Sequence, residues 1–169
     1  MKAKQKQYAI GVDYGTNSVR ALVVDLADGA ELASATFAYP SGEDGVLVSA
    51  KDPQLARQNP ADYLAGFLDV VAKAVKQAAR ADKAFKAAHV VGIGVDTTGS
   101  TPIPVDKAGM PLALKPKFAK NPNAHAWLWK DHTAHAEAAA ITEAAKKAGV
   151  PYLDKCGGTY SSEWFWSKI

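Results

Sequence analysis

Apolar residues near the start of the chain form three short runs, each bounded by turn-forming residues. The runs are rich in valine, alanine and aromatic side chains that partly alternate with polar ones, which is typical of strands. An Asp28-Gly29 dipeptide, which favours a tight hairpin, separates the second run from the third. The pattern therefore predicts a three-stranded antiparallel meander, with strands at residues 8–13, 18–25 and 31–39.

The hydrophobic period changes after a loop at residues 40–58. Asn59 is a suitable N-cap, Pro60 suits the first helical position, and Asp62 lies in the first turn. The apolar residues that follow are spaced as on one face of a helix, so a helix is predicted over residues 60–82. Its apolar stripe comprises Leu64, Phe67, Leu68, Val71 and Val75.

Later segments predict one more strand and one more helix. Residues 90–96 are a continuous apolar run of the kind that is buried on both faces of a sheet. Residues 101–106 are predicted to pair only as an edge strand, because their prolines lack amide donors. An alanine-rich helix is predicted over residues 131–147, and Gly149 marks its end.

The order of these elements limits the fold class. Three strands, a helix, a strand and a helix are not a repeat of βαβ units, so a plain Rossmann fold is not favoured. The last ten residues carry Trp164, Phe165 and Trp166, whereas chain ends are usually polar. This aromatic run indicates a helix cut short in a longer chain. We therefore expect an incomplete α/β domain.

Composition and charge exclude several classes of protein. The 169 residues fit one domain, and 48% apolar with 22% charged residues is a globular composition. No apolar run approaches the ~20 residues of a membrane helix, and no secretory signal follows the basic start. A net charge of +3, spread along the chain, does not indicate nucleic-acid binding. The single cysteine, Cys156, cannot form an internal disulfide, so we expect a cytoplasmic protein.

A polar turn between the first two strands carries the first candidate chemistry. Gly15 permits a sharp turn that exposes amide groups to an anion, and Arg20 adds a fixed positive charge. Asp13 ends the first strand, where its carboxylate can hold Mg²⁺. Further hydroxyl and amide donors are supplied by Thr16, Asn17 and Ser18. The alternative is an ordinary hairpin with polar turn residues.

A second polar turn, at residues 97–101, follows the apolar run at 90–96. Its small, hydroxyl-rich side chains suit recognition of a polyol, because they can pair with sugar hydroxyls one by one. The alternative is a turn whose threonine and serine side chains satisfy their own backbone. Asp96 precedes this turn, where a carboxylate could act as a general base or share Mg²⁺ with Asp13. A structural role for Asp96 is the alternative.

Four segments of the chain resemble the FGGY family of carbohydrate kinases. The segment DYGTNSVRALVVD, which begins at Asp13, is similar to the first phosphate motif of the actin, hexokinase and heat-shock chaperone superfamily, and in particular to the FGGY pattern DxGTxSxR. The segments GIGVDTTGSTPIPVD, AWLWKDHTA and GGTYSSEWFWSKI resemble the branch of the family that phosphorylates L-ribulose. The resemblance covers essentially all of residues 7–169.

The resemblance implies a fold and an activity. The fold is the α/β ribonuclease-H-like core of that superfamily, here the first part of an N-terminal domain at residues 7–169, after a polar lead at residues 1–6. The activity is transfer of the γ-phosphoryl group of ATP, with Mg²⁺, to L-ribulose or a related ketopentose or pentitol in L-arabinose catabolism. The full-length enzyme could form a homo-oligomer. Nucleic-acid and membrane partners are not expected.

The resemblance also implies roles for individual residues. Gly99 and Ser100 would face the sugar, and Lys155 aligns with another sugar-contacting position, with an exposed loop lysine as the alternative. The family's catalytic base lies beyond the position that matches Ile169, so Asp96 is retained only as an alternative base. The residues assigned to the phosphates are Gly15, Thr16, Asn17, Ser18 and Arg20, with Asp13 as the metal ligand.

A non-catalytic, nucleotide-binding scaffold of the same superfamily is the alternative function. The turn at residues 99–101 and the aromatic segment at 127–131 discriminate between the two functions. Both segments resemble sugar kinases, and neither has a reason to recur in a scaffold. Trp127 and Trp129 are interpreted as part of a sugar cleft or as packed core aromatics, and the two interpretations are compatible because the floor of a cleft is also a packed surface.

Overall fold

A computed structural model describes residues 5–169, so the first four residues of the predicted polar lead lie outside the described residues. The chain forms two units, one running up to Pro40 and over Ala61–Thr98, the other comprising Ser41–Pro60 and Gly99–Ile169. The strands and α-helices, in chain order, are β1 (Tyr8–Tyr14), β2 (Ser18–Asp25), β3 (Glu31–Ala38), β4 (Leu47–Val48), β5 (Ala56–Gln58), α1 (Pro60–Ala81), β6 (Val90–Thr97), β7 (Ala126–Trp127), α2 (His135–Lys147), α3 (Tyr152–Lys155) and α4 (Phe165–Lys168).

The first unit is built on a four-stranded sheet in the order β3-β2-β1-β6. β1 pairs antiparallel with β2, and β2 pairs antiparallel with β3, as the predicted meander requires. β6 joins β1 in parallel on its other side, which requires a crossover such as the one that contains α1. The predicted order of three strands, a helix and a strand is thus confirmed, with boundaries that differ by at most one residue.

α1 packs on one face of this sheet and creates the core of the first unit. Side chains alternate along a strand, so every second residue of β1 points towards the helix. Tyr8, Ile10 and Val12 are accordingly at most 3% exposed. Val70 and Ala74 of α1 belong to the same buried cluster. Its remaining members are Val19, Ala21, Val23, Ala35, Tyr39, Ala78 and Phe85.

Gly66 allows α1 to lie close to the sheet. A Cβ atom at this position would be 2.5 Å from Val19 Cγ1 and 2.9 Å from Phe37 Cδ1. Both distances are shorter than non-bonded carbon atoms tolerate. A glycine weakens the middle of a helix, so packing against the meander, and not helix propensity, explains this residue.

β6 is exposed, which corrects the prediction that its apolar run is buried on both faces. Ile93 and Val95 pair with Ile10 and Val12 of β1 and share the α1 face of the sheet, yet they are 50% and 60% exposed. In β6, Val90 packs against the core cluster, whose other strand residues come from β1, β2 and β3. The apolar composition predicted burial, whereas none of the described residues covers Ile93 and Val95 fully.

Lys6 ties the start of the described chain to the first unit. Its Nζ lies 3.0 Å from a carboxylate oxygen of Asp25 and 2.9 Å from one of Asp82. The same oxygen of Asp82 accepts a hydrogen bond from the Tyr8 hydroxyl at 3.1 Å. Hydrogen bonds from the Ala27 amide and from Lys6 hold the pKa of Asp25 below its usual value, and Lys6 lowers the pKa of Asp82. Ordered contacts therefore begin before β1.

A small second sheet organises the other unit. β5 lies between β4 and β7 and pairs antiparallel with both. Its hydrophobic cluster consists of Val46, Ala56 and Leu128. β4 and β5 fall in the stretch that was predicted to be a loop, and β7 was not predicted, so the sequence interpretation is corrected here. Strands of two or three residues carry no periodicity that a pattern could reveal.

Two further predictions in the second unit are corrected. Residues 101–106 form no strand, and Val105 makes only an isolated bridge with Pro111. α2 begins at His135 and not at residue 131, because the Asp131 carboxylate accepts hydrogen bonds from the Thr133 amide and hydroxyl in a local turn that competes with the helix. The end of α2 at residue 147 is confirmed, and Gly149 follows with a φ of 63°. Within the described chain, no helix combines the length and the hydropathy needed to cross a bilayer.

We expect Gly66→Ala to destabilise the protein. At an unhindered helical position this change stabilises by about 0.4–1 kcal/mol, but here the added methyl group would overlap Val19, which costs about 1–3 kcal/mol. The measurement is the free energy of unfolding in denaturant. Ala65→Gly, at the exposed neighbouring position, is the control for helix propensity. A Gly66→Ala variant at least as stable as the wild type would contradict the close packing.

Candidate functional site

The face of the first sheet opposite α1 carries the predicted phosphate-side charges. Asp13 on β1 stands opposite Arg20 on β2 and, on its other side, opposite Asp96 on β6. Residues paired across neighbouring strands project from the same face, with backbones about 5 Å apart. All three residues are exposed, and they line one hollow of about 420 Å³. The structure therefore brings these three predicted residues together.

Neither Asp13 nor Arg20 is committed to another group. Within the described part of the chain, neither side chain forms an ion pair or a hydrogen bond. A carboxylate beside a guanidinium can serve a cation and an anion together, because one supplies oxygen ligands and the other N–H donors. Nowhere in residues 5–169 do three acidic, histidine or cysteine side chains group as a metal site would need. A cation here would therefore have few protein ligands.

Two glycines lie in the lining of this hollow. Gly11 on β1 pairs with Gly94 on β6, and both are exposed. A Cβ atom at either position would meet no other atom within 4 Å. This part of the surface is therefore main chain, which allows a ligand to approach the strands closely.

The turn between β1 and β2 adjoins the hollow without lining it. The Gly15 amide donates to the Ser18 carbonyl oxygen at 2.9 Å, and a Cβ atom on Gly15 would lie 3.3 Å from that oxygen. The Gly15 amide is thus engaged within the turn, so the prediction that this turn exposes its amides does not extend to Gly15 itself. Thr16 and Ser18 are half-buried, and Asn17 is exposed.

Three tyrosine rings support this turn. The ring centroid of Tyr63 lies 5.8 Å from that of Tyr14 and 5.5 Å from that of Tyr39, in edge-to-face arrangements. The Tyr39 amide donates to the Asn17 carbonyl oxygen at 2.9 Å. Burial raises the pKa of Tyr39 and of Tyr63 above the ordinary value, so both hydroxyls are neutral at physiological pH. The turn is therefore anchored to packed neutral rings.

Asp96 is partly engaged at the end of β6. One of its carboxylate oxygens accepts a hydrogen bond from the Thr97 amide at 2.9 Å. This bond supports the structural role that was set against a general base. Sharing of a cation between Asp96 and Asp13 stays a prediction.

In the second unit, the turn at residues 99–101 meets the aromatic segment at 127–131. The Trp129 amide donates to the Thr101 hydroxyl at 3.1 Å. Gly99 is exposed, and a Cβ atom there would meet nothing within 4 Å. Ser100 has a φ of 54°, in the left-handed region that residues with a side chain seldom adopt. The two segments that resemble sugar kinases are thus joined in the structure.

Lys168 joins the same two segments. Its Nζ donates to the carbonyl oxygens of Ser100, Leu128 and Trp129 at 3.1, 2.8 and 3.2 Å. Burial, aided by the positive charge of Arg57, lowers the pKa of Lys168 to about 8. The sequence interpretation missed this residue because lysines are usually exposed. Its position at the end of an aromatic run was the available signal.

A buried ion pair between Arg57 and Asp131 fixes the aromatic segment, and each side chain is at most 1% exposed. Asp131 also accepts hydrogen bonds from the Ala56 amide at 2.7 Å and the Thr133 hydroxyl at 2.6 Å. The Arg57 guanidinium stacks 3.6 Å from the centroid of the Trp127 ring. Burial lowers the pKa of Arg57 to about 10. Trp127 is therefore a packed aromatic residue, as one of the two interpretations expects.

Lys155 is not bonded to the turn at residues 99–101. It is exposed at the end of α3, and its side chain forms no hydrogen bond or ion pair with any described residue. The structure thus agrees with an exposed lysine, and a contact with the sugar stays a prediction.

Known proteins match nearly the whole of this chain. A profile described as the N-terminal domain of the FGGY family of carbohydrate kinases matches residues 8–151. The chain belongs to the FGGY family. The match includes the hollow, the turn beside it and both segments joined by Thr101, so the resemblance drawn from those motifs is confirmed.

The curated relatives of this FGGY chain include several bacterial proteins named ribulokinase. The one from Vibrio parahaemolyticus is 44% identical over 164 residues, which is 96% of this chain and 28% of the relative. The one from Geobacillus thermodenitrificans is 43% identical over 168 residues, which is 97% of this chain and 29% of the relative. The chain thus spans less than a third of their length, as expected for an N-terminal portion.

Solved structures confirm the predicted fold class. A xylulose kinase from Bifidobacterium adolescentis superposes with a TM-score of 0.64 at 16% identity, over 98% of this chain and 29% of that chain. A glycerol kinase from Plasmodium falciparum, solved with ADP, gives 0.62 at 14% identity, over 96% of this chain and 28% of that chain. The FGGY chain therefore has the actin/hexokinase-like, ribonuclease-H-like α/β fold, as an incomplete domain.

We expect Asp131→Asn to destabilise the second unit by about 3–5 kcal/mol, because it leaves the Arg57 charge buried without a partner. Asp106→Asn is the matched control. Asp106 and Lys115 form a partly exposed ion pair in the same unit, whose loss has a much smaller effect because solvent screens both charges. The measurement is the free energy of unfolding of each variant. Equal losses in the two variants would show that the Arg57–Asp131 pair has no special importance.

Proposed function

We propose that this chain is the N-terminal portion of an ATP-dependent ribulokinase, which transfers the γ-phosphoryl group of ATP to a hydroxyl group of L-ribulose. The observation that carries the proposal is the extent of the likeness. Identity of 44% and 43% to proteins named ribulokinase runs over 96% and 97% of the chain. It therefore includes the charged hollow and the turn at residues 99–101 together.

On the phosphate side, this chain would supply charge and hydrogen-bond donors. Arg20 is exposed and unpaired in the described structure, so its guanidinium is available to phosphate oxygens. Thr16 and Asn17 lie in the turn between β1 and β2, Ser18 begins β2, and all three would add hydroxyl and amide donors around the same phosphates. Gly15 would act through the shape of the turn that its amide closes. Phosphoryl transfer depends mainly on such positioning and charge neutralisation.

Asp13 fits the requirements of a magnesium ligand. Its carboxylate is exposed and uncommitted in the hollow, with the Asp96 carboxylate on the neighbouring strand. Mg²⁺ in phosphoryl-transfer sites is usually held by one or two protein carboxylates and keeps several waters, which agrees with so sparse a set of ligands. When bound, Mg²⁺ would neutralise part of the phosphate charge. Asp13 would hold it and thereby fix where the phosphates lie.

On the sugar side, we assign Gly99 and Ser100 to the substrate. The absence of a side chain at Gly99 leaves open space at an exposed position. Ser100 presents a hydroxyl from a turn that is tied to its surroundings through its carbonyl oxygen. Lys155 is retained as a third sugar contact, reached from the end of α3. Hydroxyl and amide groups of this kind can match sugar hydroxyls individually.

We assign no general base within this chain. Asp96 is the alternative, but one of its oxygens already accepts the Thr97 amide. Its register opposite Asp13 favours a supporting role beside that residue. The base would then come from the rest of the complete protein.

The non-catalytic scaffold is not favoured. The family match and the named relatives are carbohydrate kinases, and they include both segments that discriminate between the two functions. The test of the proposed function is ADP release by the complete protein in the presence of L-ribulose, D-xylulose, ribitol or glycerol, against a sugar-free blank. Release that L-ribulose stimulates most supports the proposal. Release that no sugar stimulates would overturn it.

Asp13→Ala in the complete protein is expected to lower kcat by about 100-fold or more, because the metal ligand is lost while the fold remains. Asp28→Ala is the matched control, since Asp28 is an exposed carboxylate in the hairpin after β2. Steady-state ADP release at saturating ATP and Mg²⁺ measures both variants. Unchanged turnover in Asp13→Ala would remove this residue from the mechanism.

Gly99→Leu is expected to raise the KM for the sugar about tenfold or more and to leave the KM for ATP within about twofold. The reason is that the new side chain would occupy the space intended for the sugar. Ala136→Leu, at an exposed position of α2, adds similar bulk and is the control. Equal changes in both KM values would show that the turn is only structural.

A further inference from the structure

Lys168 is placed to control the shape of the sugar turn. A lysine ammonium has three N–H donors, and here three carbonyl oxygens accept from it, one from Ser100 and two from Leu128 and Trp129. We propose that Lys168 is a positioning residue for the sugar, which holds the Ser100 turn against the Trp129 segment and sets sugar affinity through them. This inference rests on the proposed function, which assigns Ser100 to the sugar.

The backbone of Ser100 needs support from its surroundings. Its φ of 54° lies in the left-handed region, which is strained for a residue with a side chain. Such strain persists where neighbouring contacts enforce it, and it is concentrated at ligand-binding sites. Lys168 binds the Ser100 carbonyl oxygen, and Thr101 binds the Trp129 amide. The first contact holds the carbonyl group of Ser100, and the second holds the side chain of Thr101, the next residue of the turn.

The charge of Lys168 is not explained by packing alone. Lys168 is 7% exposed, and among the described residues no carboxylate lies within ion-pair distance of its Nζ. Arg57 disfavours the charged form and Glu163 favours it. Asp52 and Glu137 are the carboxylates that line a separate cavity of the second unit, to which Lys168 also contributes. A methionine would fill a similar volume without the desolvation cost. What the lysine adds is three donors for three carbonyl oxygens.

The first test is steady-state kinetics of Lys168→Met in the complete protein, with L-ribulose and ATP as substrates. We expect the KM for the sugar to rise about tenfold or more, with kcat within about threefold and the KM for ATP within about twofold. Lys168→Arg keeps charge and donors, so it should recover part of the sugar affinity. Lys147→Met removes an exposed lysine of the same unit and is the control. An equal rise in both KM values, or no rise, would overturn the proposal.

The second test is independent of catalysis. Amide hydrogen exchange of the same variants should be faster in Lys168→Met over residues 99–101 and 128–129, by about tenfold or more, and unchanged in Lys147→Met. Unchanged exchange in Lys168→Met contradicts the positioning role whether or not the protein phosphorylates a sugar. If the wild type shows no sugar-dependent ADP release, the proposed function fails, and exchange alone decides the role of Lys168.

The third test needs no substitution, and it applies if Lys168→Met does not fold. The pKa of Lys168 is lowered to about 8, so the ammonium loses a proton as the pH rises through that value. The neutral amine has two N–H groups and one lone pair, and it cannot satisfy three carbonyl oxygens. We expect the KM for the sugar to rise severalfold from about pH 7 to about pH 9, with a flat KM for ATP. A flat sugar profile would contradict the proposal.

Discussion

The packing of α1 on one face of the meander decides which side chains of the first unit can meet a ligand. Strand residues alternate between the two faces of a sheet, so burial of Ile10 and Val12 under the helix directs Gly11 and Asp13 to the open face. A shift of one residue in register would bury the Asp13 carboxylate in an apolar core. The position of the charged hollow therefore follows from the requirement to bury the other face.

The second unit combines small buried apolar residues with buried charged side chains. Among the described residues, its buried apolar side chains are mostly alanines outside the cluster of Val46, Ala56 and Leu128, whereas the larger side chains of Arg57, Asp131 and Lys168 are all at most 7% exposed. Their partners are backbone groups, a hydroxyl and one another, so they define the course of segments that have little regular structure. A buried polar network of this kind permits one arrangement of the loops and penalises others.

The sequence predicts secondary-structure elements that are long enough to show a hydrophobic period. It also predicts the positions of site residues that lie on those elements. The meander and α1 were predictable within one residue, and the hairpin register then puts Asp13 opposite Arg20. The short strands β4, β5 and β7 have no period, and the exposure of β6 cannot be deduced from its apolar composition. Burial of Arg57 and Lys168 depends on partners distant in sequence, which no local pattern contains.

The glycine pair in the lining of the hollow affects the entropy of binding. Where Gly11 and Gly94 meet, the surface is formed by hydrogen-bonded strands and has no rotatable side chains. A ligand that settles on such a surface immobilises no rotamers, and each rotamer-rich side chain ordered elsewhere would cost about 0.5–1.5 kcal/mol. This part of the hollow has no side-chain rotamers for a ligand to order. The entropic cost of binding there falls instead on the ligand and on flexible lining side chains such as Asp13 and Arg20.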